Sequence, residues 1–262
     1  MDLGIRGKVA MVAAGSKGLG RAAALALAAE GCAVSICGRG EAALASTRAE
    51  LEAFGVPVLA GVADVSRAED LDRWHRDTAA ALGPVDILVT NTGGPKAAVF
   101  AELSDGDWAS GVDSTLMNVV RMSRLVLPGM RTRQWGRIVH ITSLVAKQPY
   151  PLLTISSTLR AGLSGLTRTL ALETAKDGIT VNALLPGHVM TDRQTHLAEV
   201  KAAAEGLSIE ETFARTASAI PAGRIGRPDE IGAVIAFLCG TPASYVTGQS
   251  LLVDGGLVQG TF

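Results

Sequence analysis

The chain has 262 residues, a net charge of −1 and only 4% aromatic residues. This composition excludes the basic surface and the aromatic stacking platforms that nucleic-acid binding needs, and no apolar run is long enough to span a membrane. We therefore expect neither a nucleic-acid nor a membrane partner. Residues 1–8 contain no apolar signal region, which favours a cytoplasmic location. The three cysteines lack metal-ligand spacing, so no metal site is predicted.

Short β-branched runs alternate with alanine- and leucine-rich stretches along the whole chain. The predicted strands are Val9–Ala13, Ala33–Cys37, Val58–Gly61, Ile87–Val89, Arg137–Ile141, Thr180–Leu184 and Ser250–Val253. The predicted helices are Leu19–Glu30, Glu41–Phe54, Ala68–Leu82, Trp108–Arg131, Ser157–Lys176 and Asp229–Cys239. Uniformly apolar strands alternating with helices are typical of a parallel sheet covered on both faces. The pattern predicts an α/β fold: one Rossmann-type, doubly wound, seven-stranded parallel sheet in a single domain over residues 1–262.

The segment from Thr191 to Ile220 differs from the rest of the chain because it is helical by composition but fairly polar. It lies between the sixth strand and the next helix. We interpret it as an excursion over the sheet edge that forms a mobile substrate lid. The alternative is an ordinary pair of surface helices.

A glycine-rich turn over residues 13–20, Ala-Ala-Gly-Ser-Lys-Gly-Leu-Gly, follows the first predicted strand and precedes a helix. Glycines let the backbone approach a pyrophosphate closely, and a helix N-terminus offers free N–H groups to phosphate. The turn predicts a dinucleotide cradle, with a vestigial loop as the alternative. Its predicted cofactor-binding residues are Gly15, Ser16, Lys17, Gly18, Leu19 and Gly20. The second strand leads into Arg39, and an arginine there accommodates the 2′-phosphate of NADP, so NADP(H) is predicted over NAD(H).

Further motifs stand at the ends of predicted strands. They are Asp64-Val65, Thr90-Asn91-Thr92-Gly93-Gly94, Pro186-Gly187-His188-Val189-Met190-Thr191, and Ser143 followed by Ser156 and Arg160. With the glycine-rich turn, this layout resembles the short-chain dehydrogenase/reductase family over essentially the whole chain, and among its subgroups the 3-oxoacyl-acyl-carrier-protein reductases. The resemblance implies further cofactor-binding residues, from the adenine to the nicotinamide amide: Asp64, Val65, Asn91, Thr92, Gly93, Arg160, Pro186, Gly187, Val189 and Thr191.

The glycine-rich turn departs from the family's pattern, Thr-Gly-x-x-x-Gly-x-Gly. Aligned on Gly18 and Gly20, the pattern's first glycine falls on Ala14. A methyl group is thereby added where the chain must turn. Gly15, one place later, is a candidate to supply the lost flexibility.

The catalytic positions depart further. The family's serine is Ser143, but its Tyr-x-x-x-Lys pair falls on Ser156 and Arg160, and its asparagine falls on Thr115. In the family the tyrosine donates a proton to the substrate oxygen, and the lysine holds the ribose and lowers the tyrosine pKa. A serine hydroxyl is a far weaker acid than a tyrosine, while Arg160 stays protonated and still hydrogen-bonds a ribose or an anion.

Other side chains are candidates to replace the missing acid. Tyr150 lies on a loop after Ser143, and His188 lies in the Pro-Gly turn that the resemblance places at the nicotinamide end. Packing or pocket lining is the alternative role for each. Lys147 is a candidate for polarising a carbonyl or binding an acidic substrate, against a solvated surface position. His140, within the fifth strand, is predicted to be a hydrogen-bonded core residue.

Three functions remain open on the sequence. The first is an NADP-dependent oxidoreductase that acts on a small carbonyl or alcohol substrate with an altered proton donor. The second is a cofactor-binding protein without redox turnover. The third is a non-redox lyase or isomerase in which Arg160 stabilises an anionic intermediate. The resemblance favours the first, and it implies a homotetramer or homodimer built on helices 108–131 and 157–176 and on the segment 231–253.

Overall fold

The computed structural model describes residues 1–260, in which seven parallel strands form one sheet. The strands are β1 (Val9–Val12), β2 (Ala33–Gly38), β3 (Val58–Val62), β4 (Ile87–Thr90), β5 (Gly136–Ile141), β6 (Ile179–Pro186) and β7 (Ser250–Val253). Their spatial order is β3-β2-β1-β4-β5-β6-β7. All seven predicted strands and the doubly wound sheet are confirmed. Residues 261–262 of the predicted domain lie outside the described residues.

Nine α-helices occur within residues 1–260. They are α1 (Gly18–Ala29), α2 (Glu41–Glu52), α3 (Ala68–Leu82), α4 (Asp105–Gly111), α5 (Asn118–Arg133), α6 (Thr154–Thr174), α7 (Asp192–Glu205), α8 (Ile209–Ser218) and α9 (Pro228–Cys239). The predicted helix 108–131 is wrong in one respect, because a π-helical stretch, Val112–Met117, interrupts it. Helix α7 and helix α8 fill the segment interpreted as a lid. None of the helices in residues 1–260 is long and apolar enough to cross a membrane.

Two apolar cores cover the two faces of the sheet. Successive residues of β1 alternate between them, with Val12 in one core and Met11 in the other. The first core takes side chains from α1, α2 and α9, and the second takes them from α3, α5 and α6. Burial on both faces explains why the strands read as continuous apolar runs.

The strand order reverses between β1 and β4. These two strands pair directly, with Ala10 opposite Ile87, but the chain proceeds outward from them in opposite directions. A reversal of this kind leaves a crevice at the carboxyl ends of the strands, between the loops that diverge to either side. The motifs picked out in the sequence follow these strand ends.

His140 is a hydrogen-bonded polar residue inside the core, as predicted. It lies in β5 and is fully buried, with Nδ1 at 2.9 Å from Thr167 Oγ1 and Nε2 at 3.4 Å from Ser123 Oγ. Burial lowers the pKa of its imidazole from 6.5 to about 4. The side chain is therefore neutral at physiological pH.

This buried imidazole predicts an acid-dependent loss of stability. Below pH 6.5 the imidazole is protonated in the unfolded chain, whereas in the folded chain it becomes protonated only near pH 4. The contribution of His140 to the free energy of unfolding is therefore complete above pH 6.5 and is lost as the pH falls from 6.5 to about 4. The shift corresponds to about 3 kcal/mol. Urea unfolding at pH 7 and pH 4.5 should show a smaller pH-dependent loss for His140→Asn than for the native chain. The exposed control His196→Asn should behave like the native chain; equal losses in all three would contradict this assignment.

Candidate active site

A cleft of about 890 Å³ opens at the carboxyl ends of the strands. It is lined by the turns after β1, β2, β3, β4, β5 and β6, together with the beginnings of α6 and α7. Because these segments are far apart in sequence, only the parallel sheet brings them together. The cleft runs from the ends of β2 and β3 to the ends of β5 and β6.

The glycine-rich turn forms one wall of the cleft through Ala14, Ser16, Lys17, Gly18 and Leu19. Helix α1 begins in this turn, and its N-cap residue supplies no side-chain hydrogen bond to the first helical turn. The N–H groups there are thus left for a ligand, at the positive end of the helix dipole. This is the donor set that suits a pyrophosphate.

Two glycines of the predicted cradle serve packing and do not line the cleft. Gly15 donates its N–H to the Cys37 carbonyl at 2.9 Å, and an added Cβ would lie 2.7 Å from Ile36 Cγ2. At Gly20 an added Cβ would overlap the Ala14 carbonyl oxygen. Both glycines let the turn and α1 pack closely against their neighbours, and their contact with the cofactor stays a prediction.

Ala14 itself adopts the left-handed conformation, with φ at +46°. The expectation that Gly15 supplies the missing flexibility is wrong, because Gly15 is not among the residues with positive φ. The strain stays at the alanine, where the Cβ crowds the following carbonyl. The turn is nevertheless closed, and Ala14 lines the cleft.

Arg39, Asp64 and Val65 line the end of the cleft beside β2 and β3. Asp64 Oδ1 accepts hydrogen bonds from the Ser66 N–H at 2.9 Å and the Ser66 hydroxyl at 2.7 Å. These bonds, with a smaller effect from the nearby Arg39 guanidinium, lower the pKa of the Asp64 carboxyl. Arg39 is exposed and makes no ion pair within residues 1–260, so its guanidinium is available to a phosphate.

The other end of the cleft is formed by the turns after β4 and β6. It is lined by Asn91, Thr92, Gly93, Pro186, Gly187, Val189 and Thr191, which places all of these predicted residues together. Val189 forms an isolated parallel bridge with Gly226, and the Thr191 hydroxyl caps α7 by accepting a hydrogen bond from the Gln194 N–H at 3.3 Å. The turn after β6 is therefore held in place at this end of the cleft.

Ser143, Ser156 and Arg160 meet in the same cleft. Arg160 Nε donates to Ser156 Oγ at 3.2 Å, and its Nη1 donates to the Ile141 carbonyl at 3.3 Å. The residue is only 7% exposed. Burial, and to a smaller degree the charge of Arg193, lower the pKa of the Arg160 guanidinium to about 10, so it remains a cation at neutral pH.

Thr115 does not join them, which corrects its predicted place in the catalytic set. It lies in the π-helical stretch, fully buried, and its hydroxyl has no hydrogen-bond partner within residues 1–260. Ser110 and Ser114 line the cleft from this region instead. The sequence could not show this, since a π-helical stretch has no local sequence signal and changes which side chains face inward.

Tyr150 and His188 both line the cleft. Tyr150 Oη accepts a hydrogen bond from Gln148 Nε2 at 3.2 Å, and burial together with the charge of Asp254 raises the pKa of the phenol above 10.0. His188 Nδ1 lies 3.2 Å from the Gln194 amide oxygen.

The comparisons with known proteins agree with this geometry. A family model described as Enoyl-(Acyl carrier protein) reductase matches residues 13–258. The chain belongs to the short-chain dehydrogenase/reductase family.

Relatives of this short-chain dehydrogenase/reductase include a 3-oxoacyl-[acyl-carrier-protein] reductase of Pseudomonas aeruginosa, 34% identical over 97% of this chain and 99% of that protein. Nodulation protein G of Azospirillum brasilense is 36% identical over 95% and 98% of the two chains. Among solved structures, L-sorbose reductase from Gluconobacter frateurii, complexed with NADPH and L-sorbose, has a TM-score of 0.94 at 33% identity, covering 99% of this chain and 100% of that one. The likeness thus spans the whole fold.

Several residues that contribute to the cleft of this short-chain dehydrogenase/reductase were missed in the sequence. Arg193, Gln194 and Leu197 line it from α7. In the sequence, only the polar composition of the segment after β6 pointed to this region, and it did not indicate which of its side chains line the cleft. Lys147 is exposed and does not line the cleft, which leaves it the solvated surface position.

The left-handed Ala14 predicts that Ala14→Gly stabilises the protein. Removing the Cβ relieves about 1–2 kcal/mol of strain, of which the greater freedom of glycine in the unfolded chain takes back about half a kcal/mol. The expected gain is about 1 kcal/mol, measured by urea unfolding. Ala53→Gly, at a right-handed helix end, is the control and should lose stability. A loss of stability in Ala14→Gly would contradict the observed backbone.

Proposed function

We propose that this short-chain dehydrogenase/reductase is an NADP(H)-dependent oxidoreductase that interconverts a small carbonyl compound and its alcohol, similar to the 3-oxoacyl reductases. The observation that carries the proposal is the meeting of Arg160 with Ser143 and Ser156 in the dinucleotide cleft. Relatives named as reductases, and the L-sorbose reductase structure that contains NADPH, support it. Arg39, which makes no ion pair within residues 1–260, supports NADP(H) over NAD(H).

The residues present fit a dinucleotide along its whole length. The uncapped start of α1 would hold the pyrophosphate, Arg39 the 2′-phosphate, Asp64 and Val65 the adenine, and Arg160 the ribose next to the nicotinamide. Pro186, Gly187, Val189 and Thr191 would border the carboxamide. When bound, the cofactor supplies or accepts the hydride.

Two hydroxyls and one cation are arranged to stabilise a developing alkoxide. Ser156 Oγ accepts from Arg160 Nε, and Ser143 Oγ accepts from the Val145 N–H at 3.3 Å. Since each oxygen already receives a hydrogen bond, each hydroxyl proton is free to be donated to the substrate oxygen. Arg160 adds a fixed positive charge in a poorly solvated place, where such stabilisation is strongest.

Tyr150 is the proposed source of the proton. Its oxygen accepts from Gln148, so the phenol proton is free, and the raised pKa keeps the phenol protonated at neutral pH. A serine alcohol is too weak an acid, and Arg160 does not release its proton near neutral pH.

The two other functions are not favoured. A protein that only binds the cofactor has no need for donors focused on a substrate oxygen. A lyase or isomerase would use Arg160 but not the dinucleotide, and it would form product without any change in cofactor absorbance. Tyr150 and the serines find their use only in the redox proposal.

We also propose a cytoplasmic homotetramer or homodimer, with residues 191–220 as a substrate lid. Support for assembly comes from exposed apolar side chains on the predicted contact segments: Leu172, 76% exposed on α6, and Phe237 and Leu251 in the segment 231–253. Support for the lid comes from α7, whose side chains border the cleft.

The position of Arg39 predicts that the protein binds NADPH more tightly than NADH. Charge-assisted hydrogen bonds of about 1.5–3 kcal/mol should be lost in Arg39→Ala, so the Kd for NADPH should rise about 10- to 100-fold while the Kd for NADH stays unchanged. Calorimetric titration with NADPH, NADP, NADH and NAD measures this. Arg48→Ala, an exposed arginine of α2 paired with Glu52, is the matched control. Equal affinity of the native protein for NADPH and NADH would refute the assignment.

The proposed role of Tyr150 predicts that its substitution lowers turnover without affecting cofactor binding. Tyr150→Phe should lower kcat for carbonyl reduction about 10²- to 10⁴-fold without changing the Kd for NADPH, because only proton transfer is removed. Tyr245→Phe, on a fully exposed residue, is the control. Because the pKa of the phenol is raised, the reduction rate should fall, and the alcohol oxidation rate should rise, only at a pH above the range in which an ordinary tyrosine titrates. Full activity in Tyr150→Phe together with loss in His188→Gln would transfer the role to His188.

A further inference from the structure

The substrate end of the cleft carries more positive charge than its own residues neutralise. Lys17 pairs with Asp192 at 3.5 Å, and Lys96 pairs with Asp107 at 2.9 Å. The acidic side chains that line the cleft are Asp64, at the adenine end, and Asp192, already paired. Two guanidiniums at the opposite end, those of Arg160 and Arg193, make no ion pair within residues 1–260.

Arg160 is the more unusual of the two because it is buried. Its Nε and Nη1 are used by Ser156 and the Ile141 carbonyl, both of them neutral, and its Nη2 has no hydrogen bond to any residue from 1 to 260. A buried cation without a counter-charge is costly, and a bound anion removes that cost. The residue is thus a binding group that is not satisfied by the protein alone.

Arg193 reaches the same place from the opposite wall. It lies in the first turn of α7, yet its guanidinium crosses to the turn after β4, where a Cβ added to Gly94 would stand 3.8 Å from Nη2. Arg193 is exposed, but partial desolvation within the cleft lowers its pKa, and its charge adds to the effect of burial in lowering the pKa of Arg160. Two like charges from different elements therefore face one space.

We propose that the substrate carries a carboxylate, held by Arg193 beside the positive charge of Arg160, so that the enzyme acts on a short oxo acid and the corresponding hydroxy acid. This inference rests on the proposed function and names its substrate class. A planar carboxylate matches the two-donor edge of a guanidinium. The remaining side chains around this space, including Leu144, Val145, Leu153 and Leu197, suit a short aliphatic body.

Binding of matched ligands tests the carboxylate directly. Calorimetry of the NADP-saturated protein with 3-hydroxybutanoate and with 3-hydroxybutanamide compares an acid with its neutral counterpart. The acid should bind at least about tenfold more tightly, the effect of one charge-assisted hydrogen bond. The titration is repeated on cofactor-free protein, so a failure of dinucleotide binding, which would sink the proposed function, leaves the acid preference decidable. Equal binding of acid and amide in both series would overturn the inference.

Variants test whether Arg193 causes the preference for the acid over the amide. Arg193→Gln should reduce the acid-over-amide ratio to within about twofold, with an unchanged Kd for NADPH, while Arg193→Lys should retain part of it. Lys96→Gln, on a cleft lysine that already has a partner, should leave the ratio unaltered. If Arg193→Gln instead weakens NADPH binding and keeps the ratio, Arg193 serves the cofactor and the inference fails. The ratio of the reduction rate of 3-oxobutanoate to that of its methyl ester should likewise be highest in the native protein, lower in Arg193→Lys and lowest in Arg193→Gln.

Discussion

Burial of a parallel sheet on both faces is the constraint from which the rest of this molecule follows. Central strands such as β1, β2 and β5 are buried at every residue, so a polar side chain within them needs an internal partner, as His140 finds in Thr167. Most side chains that could bind a ligand or take part in a reaction therefore lie beyond the strand ends. Because the strand order reverses between β1 and β4, the turns at the carboxyl ends diverge and leave a cleft that these side chains line.

Within that cleft, Arg160 links structure to chemistry. Its hydrogen bond to the Ile141 carbonyl ties α6 to the end of β5, and its charge forms no ion pair within residues 1–260. A lysine could shed its proton when desolvated, but a guanidinium keeps its charge. The site thus holds a permanent cation, which favours anionic ligands and developing negative charge rather than proton exchange. The proton has to come from another side chain.

The sequence predicted the strands and the cleft-lining turns because both depend on local signals, namely continuous apolar runs and glycine or polar residues at strand ends. It did not predict the exceptions, because each depends on long-range packing. Gly15 is required by the side chain of Ile36, and Gly20 by the folded-back carbonyl of Ala14. Thr115 is withdrawn by a π-helical stretch, and Arg193 reaches the cleft only through the placement of α7.

The departures at positions 156 and 160 are best understood as one coupled change. The two residues lie four apart on α6, on one face of the helix, and Arg160 Nε is bonded directly to Ser156 Oγ. In the family pattern, a short cation supports an acidic phenol at these positions. Here a longer cation reaches a small hydroxyl, and Tyr150, on the loop before α6, is the proposed source of the phenol. Residues in direct contact do not contribute independently, so neither position on its own determines whether the site works. What matters is that cation, hydroxyls and phenol still meet at the same strand ends.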